Sequence, residues 1–214
     1  MHEPSSDLGR IHEALEQQWG LTRLQTDFGL MRSMQPTLRK GKWQVTAAVR
    51  DGEQLIALWP GLKERIFGLA VDLGSTTIAA HLCDLATGEV LASSGLMNPQ
   101  IRFGEDVMSR VSYSMMNPGG DAEMTAAVRG ALNELAAATA EEAGIEVSDI
   151  LDITLVSNPI MHHLLLGMDP VELGGAPFAL ATDFGTRIKA RELEIGLHPG
   201  AGAYVLPCIA GHVG

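Results

Sequence analysis

Ile66–Leu96, IFGLAVDLGSTTIAAHLCDLATGEVLASSGL, is the stretch that decides the fold. An apolar run, Ile66 to Val71, ends in Asp72. Leu73-Gly74-Ser75-Thr76-Thr77 follows, and a second apolar run spans Ile78 to Leu82. Asp84-Leu85-Ala86-Thr87-Gly88 is a turn signal, and a third run, Glu89 to Ser93, closes the unit. The pattern predicts three short antiparallel strands with a tight, hydroxyl-rich turn between the first two. That turn holds a carboxylate, a glycine and three hydroxyls between Asp72 and Thr77. Such a composition suits phosphate and magnesium. The glycine lets the backbone approach closely, amides and hydroxyls donate to phosphate, and the carboxylate holds the metal through water.

Outward from this unit, composition narrows the function classes. A formal charge of −11 and a pI near 5.0 argue against a nucleic-acid surface, which carries a basic stripe, and against attraction to anionic lipid. Aromatic residues make up only 5% of the chain, so base-stacking platforms are disfavoured as well. The two cysteines, Cys83 and Cys208, are far apart and form no CxxC pair, which argues against a zinc or iron–sulfur site held by this chain alone. Free thiols in a reducing compartment are the plain reading. The start, MHEPSSDLGR, is polar and lacks an apolar leader segment, and no apolar run approaches the roughly 18 residues that span a bilayer. A cytoplasmic protein is expected.

The 214 residues divide into two regions. Residues 1–65 read as a small α+β module. Ser5-Ser6-Asp7 caps a helix from Leu8 to Gln18 that Gly20 stops, and Thr26-Asp27 caps a second, Phe28 to Met34, broken by Pro36. Strands at Trp43–Val49 and Gln54–Leu58 flank Arg50-Asp51-Gly52-Glu53, a hairpin signal. The basic cluster Arg39-Lys40-Gly41-Lys42 reads as a solvated turn. In residues 66–214, a polar loop from Asn98 to Asp106 leads into a helix, Val107 to Tyr113, and a longer one spans Ala122 to Ala143. Met124, Val128, Leu132 and Leu135 recur there at helical spacing. Ile150–Val156 is an apolar strand, Ile160–Leu166 a helix opened by Pro159, and strands follow near Thr186–Ala190 and Tyr204–Pro207. Ala210 to Gly214 looks like the approach to a further helix.

This order, with an acidic Gly-hydroxyl turn after its first strand, resembles the first half of an actin-like (ribonuclease H-like) ATPase domain. GLAVDLGSTTIAAHLCDLATGEVLA (Gly68–Ala92), NPQIRFGEDVMSR (Asn98–Arg110) and SNPIMHHLLLGMDP (Ser157–Pro170) resemble the ATP-dependent reductive activators of corrinoid proteins. These combine a ferredoxin-type cluster domain with a C-terminal actin-like domain. Residues 1–65 are similar to that family's linking module. The resemblance implies an activator that uses ATP and Mg²⁺ to drive one-electron reduction of an inactive cob(II)amide in a partner corrinoid protein. Its electron comes from an upstream donor through a [2Fe–2S] cluster on a separate N-terminal domain. No four-cysteine set precedes residue 66, and a second phosphate loop would lie beyond Gly214. The expectation is therefore a fragment, with little ATP turnover alone and with homodimerisation left open.

For the sites, the resemblance assigns phosphate contact to Asp72, Gly74, Ser75, Thr76 and Thr77, with Asp72 as the catalytic residue orienting Mg²⁺ through water. The plain alternative is an ordinary hairpin turn. Arg102, Glu105 and Asp106 are candidates for the cleft or for partner docking, against a solvated loop leading to an acidic helix start. Asn158 is a further candidate for a cleft or partner contact; Ser157-Asn158-Pro159 stands where sequences of this resemblance read Gly-Asn-Thr, which weakens the carry-over at Ser157 and Pro159. His162 and His163 are adjacent, so on a helix they point about 100° apart and cannot line one site; packing is expected. Met108, Met115, Met116, Met124, Met161 and Met168 are read as core. Two competing functions remain: a sugar- or acid-kinase-like phosphotransferase of the same fold, and a non-catalytic nucleotide-binding or interaction module.

Overall fold

The computed structural model describes residues 5–209, in two compact units that divide between Glu64 and Arg65. The predicted helix approach at Ala210–Gly214 lies outside the described residues.

The first unit runs α1 (Asp7–Trp19), β1 (Gln25–Thr26), α2 (Phe28–Lys40), β2 (Val45–Arg50) and β3 (Gln54–Pro60). Ser6 caps α1 by accepting from the Gly9 amide, and Gly20 ends it in the left-handed conformation. β3 lies between β1 and β2, parallel to the first and antiparallel to the second. The hairpin turn places Asp51 at φ 53° and Gly52 at φ 71°, paired positive values at the centre of a tight turn closed by the Glu53 amide donating to Arg50 O at 3.0 Å. Ile11, Leu30, Leu38, Leu55 and Leu58 form the core.

Two expectations need correction here. Pro36 does not break α2 but sits inside it. Leu38, two residues on, is fully buried against Leu30 and Leu55, so packing of the last turn outweighs the amide bond that proline cannot make. The strand predicted from Trp43 begins only at Val45, because Lys42 (φ 49°) and Trp43 (φ 67°) are left-handed and cannot join a ladder.

The second unit is a six-stranded sheet with helices. It runs β4 (Phe67–Leu73), β5 (Thr77–Asp84), β6 (Val90–Met97), α3 (Val107–Met116), α4 (Gly120–Ala143), β7 (Ile150–Ser157), α5 (Pro159–Leu166), β8 (Thr186–Lys189) and β9 (Gly202–Val205). Short 3-10 turns, unforeseen in the sequence reading, occupy Pro99–Phe103, Val147–Asp149, Val171–Gly174 and Ala190–Leu193. The sheet order is β6-β5-β4-β7-β9-β8. β4, β5 and β6 form the expected antiparallel meander, while β7 joins β4 and β9 joins β7 in parallel. This mixed α/β sheet has the arrangement that the actin-like resemblance implies.

Alternation along β4 buries Phe67, Leu69, Val71 and Leu73, and along β5 Ile78, Ala80 and Leu82. That face meets Val128, Leu132, Leu135 and Ala136 of α4 in one core. Thr125 Oγ1 donates to Leu164 O at 2.6 Å and joins α4 to α5. Among the methionines, Met124 and Met161 are buried as expected, but Met115 and Met116 are 64% and 74% exposed and Met108 is also exposed. α3 is short and only its Arg110 and Val111 are buried, so most of its length faces water.

Charge is unevenly shared. Residues 1–64 hold eight of the 15 Lys/Arg and eight of the 26 Asp/Glu, so the net −11 belongs to residues 65–214.

Candidate functional site

The parallel strands β4, β7 and β9 end on the same edge of the sheet, the edge where α/β folds place ligands. A cavity of about 650 Å³ opens there. Its walls are Asp72, Gly74 and Ser75 at the end of β4, Ser157 and Asn158 at the end of β7, and Cys208 after β9. Val107 and Met108, the first residues of α3, and Pro159 and Ile160, the first of α5, also line it. Two helix N-termini thus face a turn with a close-approach glycine, an arrangement that favours an anion.

The turn after β4 is held from behind. Gly74 O accepts from Asn98 Nδ2 at 2.8 Å, Ser75 O accepts from Arg110 Nη2, and Thr76 O accepts from the Asn98 amide at 2.8 Å. Among the described residues nothing accepts from the amides of Gly74, Ser75 or Thr76. A Cβ at Gly74 would stand 2.5 Å from Thr77 O, so a side chain there would force the turn open. Ser157 Oγ, in the cavity wall, is buried and without a hydrogen-bond partner among the described residues. Free amides, a glycine cradle and an unpartnered hydroxyl fit a bound polyphosphate.

Asp72 is exposed at the end of β4, and no hydrogen bond or ion pair holds its carboxylate among the described residues. No group of three or more His, Cys, Asp or Glu capable of holding a metal ion occurs among them. A cation here would rely on Asp72, water and the ligand's own oxygens. That is the ordinary habit of Mg²⁺ beside phosphate.

The candidate residues therefore separate. Asp72, Gly74, Ser75 and Asn158 share one cavity. Thr76 and Thr77 continue the same turn, exposed, outside its lining. Arg102, Glu105 and Asp106 lie on the exposed stretch before α3 and do not line it. Arg102 stacks on Phe103, with its guanidinium 4.6 Å from the ring centre. Asp106 caps α3 by accepting from the Ser109 amide at 2.7 Å, and this bond holds its carboxyl below the usual range. Asn158 likewise caps α5, accepting from the Met161 amide at 2.9 Å, so its oxygen is engaged.

His162 and His163 are buried in α5. The His163 ring bridges Pro159 O at 2.8 Å and the Ala181 amide at 3.0 Å, which makes Nδ1 the donor and Nε2 the acceptor. Burial, with His163 beside it, lowers the His162 pKa to about 4. Burial, with Asp183 nearby, pushes the Cys208 thiol up.

Sequence reasoning passed over Asn98, Gln100 and Arg110. The signal was present in Asn98-Pro99, a capping pair like Asn158-Pro159, and Asn98 indeed caps the Pro99–Phe103 turn. Nothing local marks Arg110, two of whose partners, Ser75 and Met161, come from distant segments.

Comparison with known proteins assigns the chain to a family. Residues 67–214 match the RACo middle region, and residues 1–65 match the RACo linker region. The chain belongs to the RACo family. Among proteins similar to this RACo-family chain is the corrinoid activation enzyme RamQ of Eubacterium limosum, 29% identical over 166 residues. That alignment covers 77% of this chain and 28% of RamQ. A solved structure of a reductive activator for corrinoid, iron–sulfur protein superposes with a TM-score of 0.87 at 31% identity, over 100% of this chain and 35% of its own. The RACo-family chain thus spans about a third of the length of these relatives. No helix among the described residues is long and apolar enough to cross a membrane.

Proposed function

We propose that this chain is part of an ATP-dependent reductive activator that drives one-electron reduction of inactive cob(II)amide in a partner corrinoid protein. The observation that carries the reading is the superposition of the whole chain on a reductive activator for corrinoid, iron–sulfur protein at a TM-score of 0.87. The similarity to RamQ supports it from sequence. In this reading the cavity at the ends of β4, β7 and β9 takes the polyphosphate of MgATP. The Ser75 and Thr76 amides and the turn's hydroxyls bind phosphate oxygens, and Asp72 orients Mg²⁺ through water. ATP hydrolysis supplies the driving force for an electron transfer that is otherwise uphill.

The electron comes from an upstream donor through a [2Fe–2S] cluster in a part of the relatives' length that this chain does not span. Cys83 and Cys208 stay outside that role. We place the protein in the cytoplasm, with the corrinoid protein as its partner. Residues 1–65 act as the linking module and residues 66–214 as the first half of the ATPase domain.

The test uses an activator containing these residues together with the remaining length of its relatives. Asp72→Ala should abolish ATP hydrolysis stimulated by the corrinoid partner while leaving the circular dichroism spectrum unchanged. Hydrolysis at the wild-type rate would remove Asp72 from the site.

A further inference from the structure

Among the described residues Arg110 is the largest fully buried side chain, and no carboxylate among them pairs with it. Its guanidinium donates to Ser75 O, to Gly104 O at 3.0 Å, to Gln100 Oε1 at 3.3 Å and to Met161 Sδ at 3.1 Å. Asp106, one helical turn earlier, is the acid nearest in effect, and it is exposed and committed to capping α3. Burying an arginine without an ion pair is costly, and here four neutral acceptors from three segments surround it. Gly104 is part of the same construction. A Cβ there would lie 2.8 Å from the Arg110 amide, so glycine lets the chain lie close enough to present its carbonyl.

One of these targets is the turn after β4. In a trans peptide the C=O and the following N–H point in opposite directions. The Ser75 carbonyl shares a peptide plane with the Thr76 amide, and the Gly74 carbonyl shares one with the Ser75 amide. Asn98 and Arg110 pull these two carbonyls inward, so the two amides face away from the interior with no acceptor among the described residues. A cation bonded to a carbonyl also polarises its peptide and makes the N–H a stronger donor. Positive charge held behind the turn further favours an anion in front of it.

We propose that Arg110 is a positioning residue of the phosphate turn: with Asn98 it fixes the Ser75 and Thr76 peptide planes and charges them from behind for a polyphosphate. The proposal rests on the reading of that turn as a phosphate site. It gives a task to the Asn98–Arg110 segment, whose buried ends hold the turn while Arg102, Glu105 and Asp106 stay in water.

The experiment follows backbone amide resonances of the isotopically labelled chain in wild type, Arg110→Met, Arg110→Lys and a control, Arg129→Met. Arg129 donates to Leu165 O and pairs with Glu194, away from the turn. Before any ligand is added, Arg110→Met should move the Thr76 amide proton to a less polarised shift while sheet residues such as Leu69 and Ile153 keep theirs. On titration with magnesium tripolyphosphate, wild type and Arg129→Met should show saturable shifts at Ser75 and Thr76. Arg110→Met should bind at least tenfold more weakly, and Arg110→Lys should recover part of the loss. If Arg110→Met does not fold, Arg110→Lys against wild type carries the same comparison. Unmoved Thr76 together with binding within twofold of wild type would overturn the role of Arg110. Absence of any shift in wild type would instead overturn the phosphate reading, and this proposal with it.

Discussion

Asp72 and Gly74 stand two residues apart and answer to different constraints. Asp72 is exposed and uncommitted, so Asp72→Ala should change stability little while removing a metal contact. Gly74 has no room for a side chain, and Gly74→Ala should cost about 1–3 kcal/mol, read from urea denaturation, as Thr77 O is pushed aside. His162 supplies a pH dependence. Its folded pKa of about 4 lies below the ordinary 6.5, so as pH falls the unfolded chain takes up the proton first. Stability from this residue is fully present above pH 6.5 and is lost progressively as the pH falls to 4, by on the order of 1–3 kcal/mol. His163, also lowered by burial, adds loss in the same direction. Both His162 ring nitrogens lack partners among the described residues, so His162→Phe should leave stability at pH 7 unharmed and flatten the acid limb of a denaturation series. Gly74 was legible in the sequence because a lone glycine among hydroxyls after a strand has few other uses. Arg110 was not, since a helical arginine ordinarily faces water and its acceptors at Ser75 and Met161 come from distant segments.

At the scale of elements, caps were the most readable feature. Ser6 and Asp27 each accept from an amide of the first turn that follows, as read; Asn158, read only as a cleft or partner candidate, caps α5 in the same way. Asn158→Ala should therefore weaken α5 by about 1 kcal/mol in a denaturation midpoint. Pro36 was misread, because local preference stops a helix there whereas the burial of Leu38 carries α2 on to Lys40. Its interior position implies a standing penalty, and Pro36→Ala should raise the stability of the first unit by about 1–3 kcal/mol, measured by thermal unfolding. The methionines of α3 were misread for the opposite reason. Apolar spacing pointed inward, but the helix is short and Arg110 and Val111 are its only buried residues. The candidate loop at Arg102–Asp106 was placed correctly next to α3, yet spacing along the chain could not tell that Val107 and Met108, rather than its charged residues, line the cavity.

Across the whole molecule, each unit has its own core, Ile11 to Leu58 in one and Phe67 to Val205 in the other. Residues 65–214 produced alone should therefore retain their fold, read as a dispersed amide spectrum with cooperative thermal unfolding. The charge partition described above bears on the rate at which a ligand arrives. A body carrying −11 repels an approaching polyphosphate before any turn or helix end can attract it. Added salt shortens the reach of that field, to about 8 Å at physiological ionic strength. Capture of magnesium tripolyphosphate, followed by stopped flow, should therefore accelerate as sodium chloride is raised from low levels, the reverse of the slowing seen when opposite charges steer an encounter.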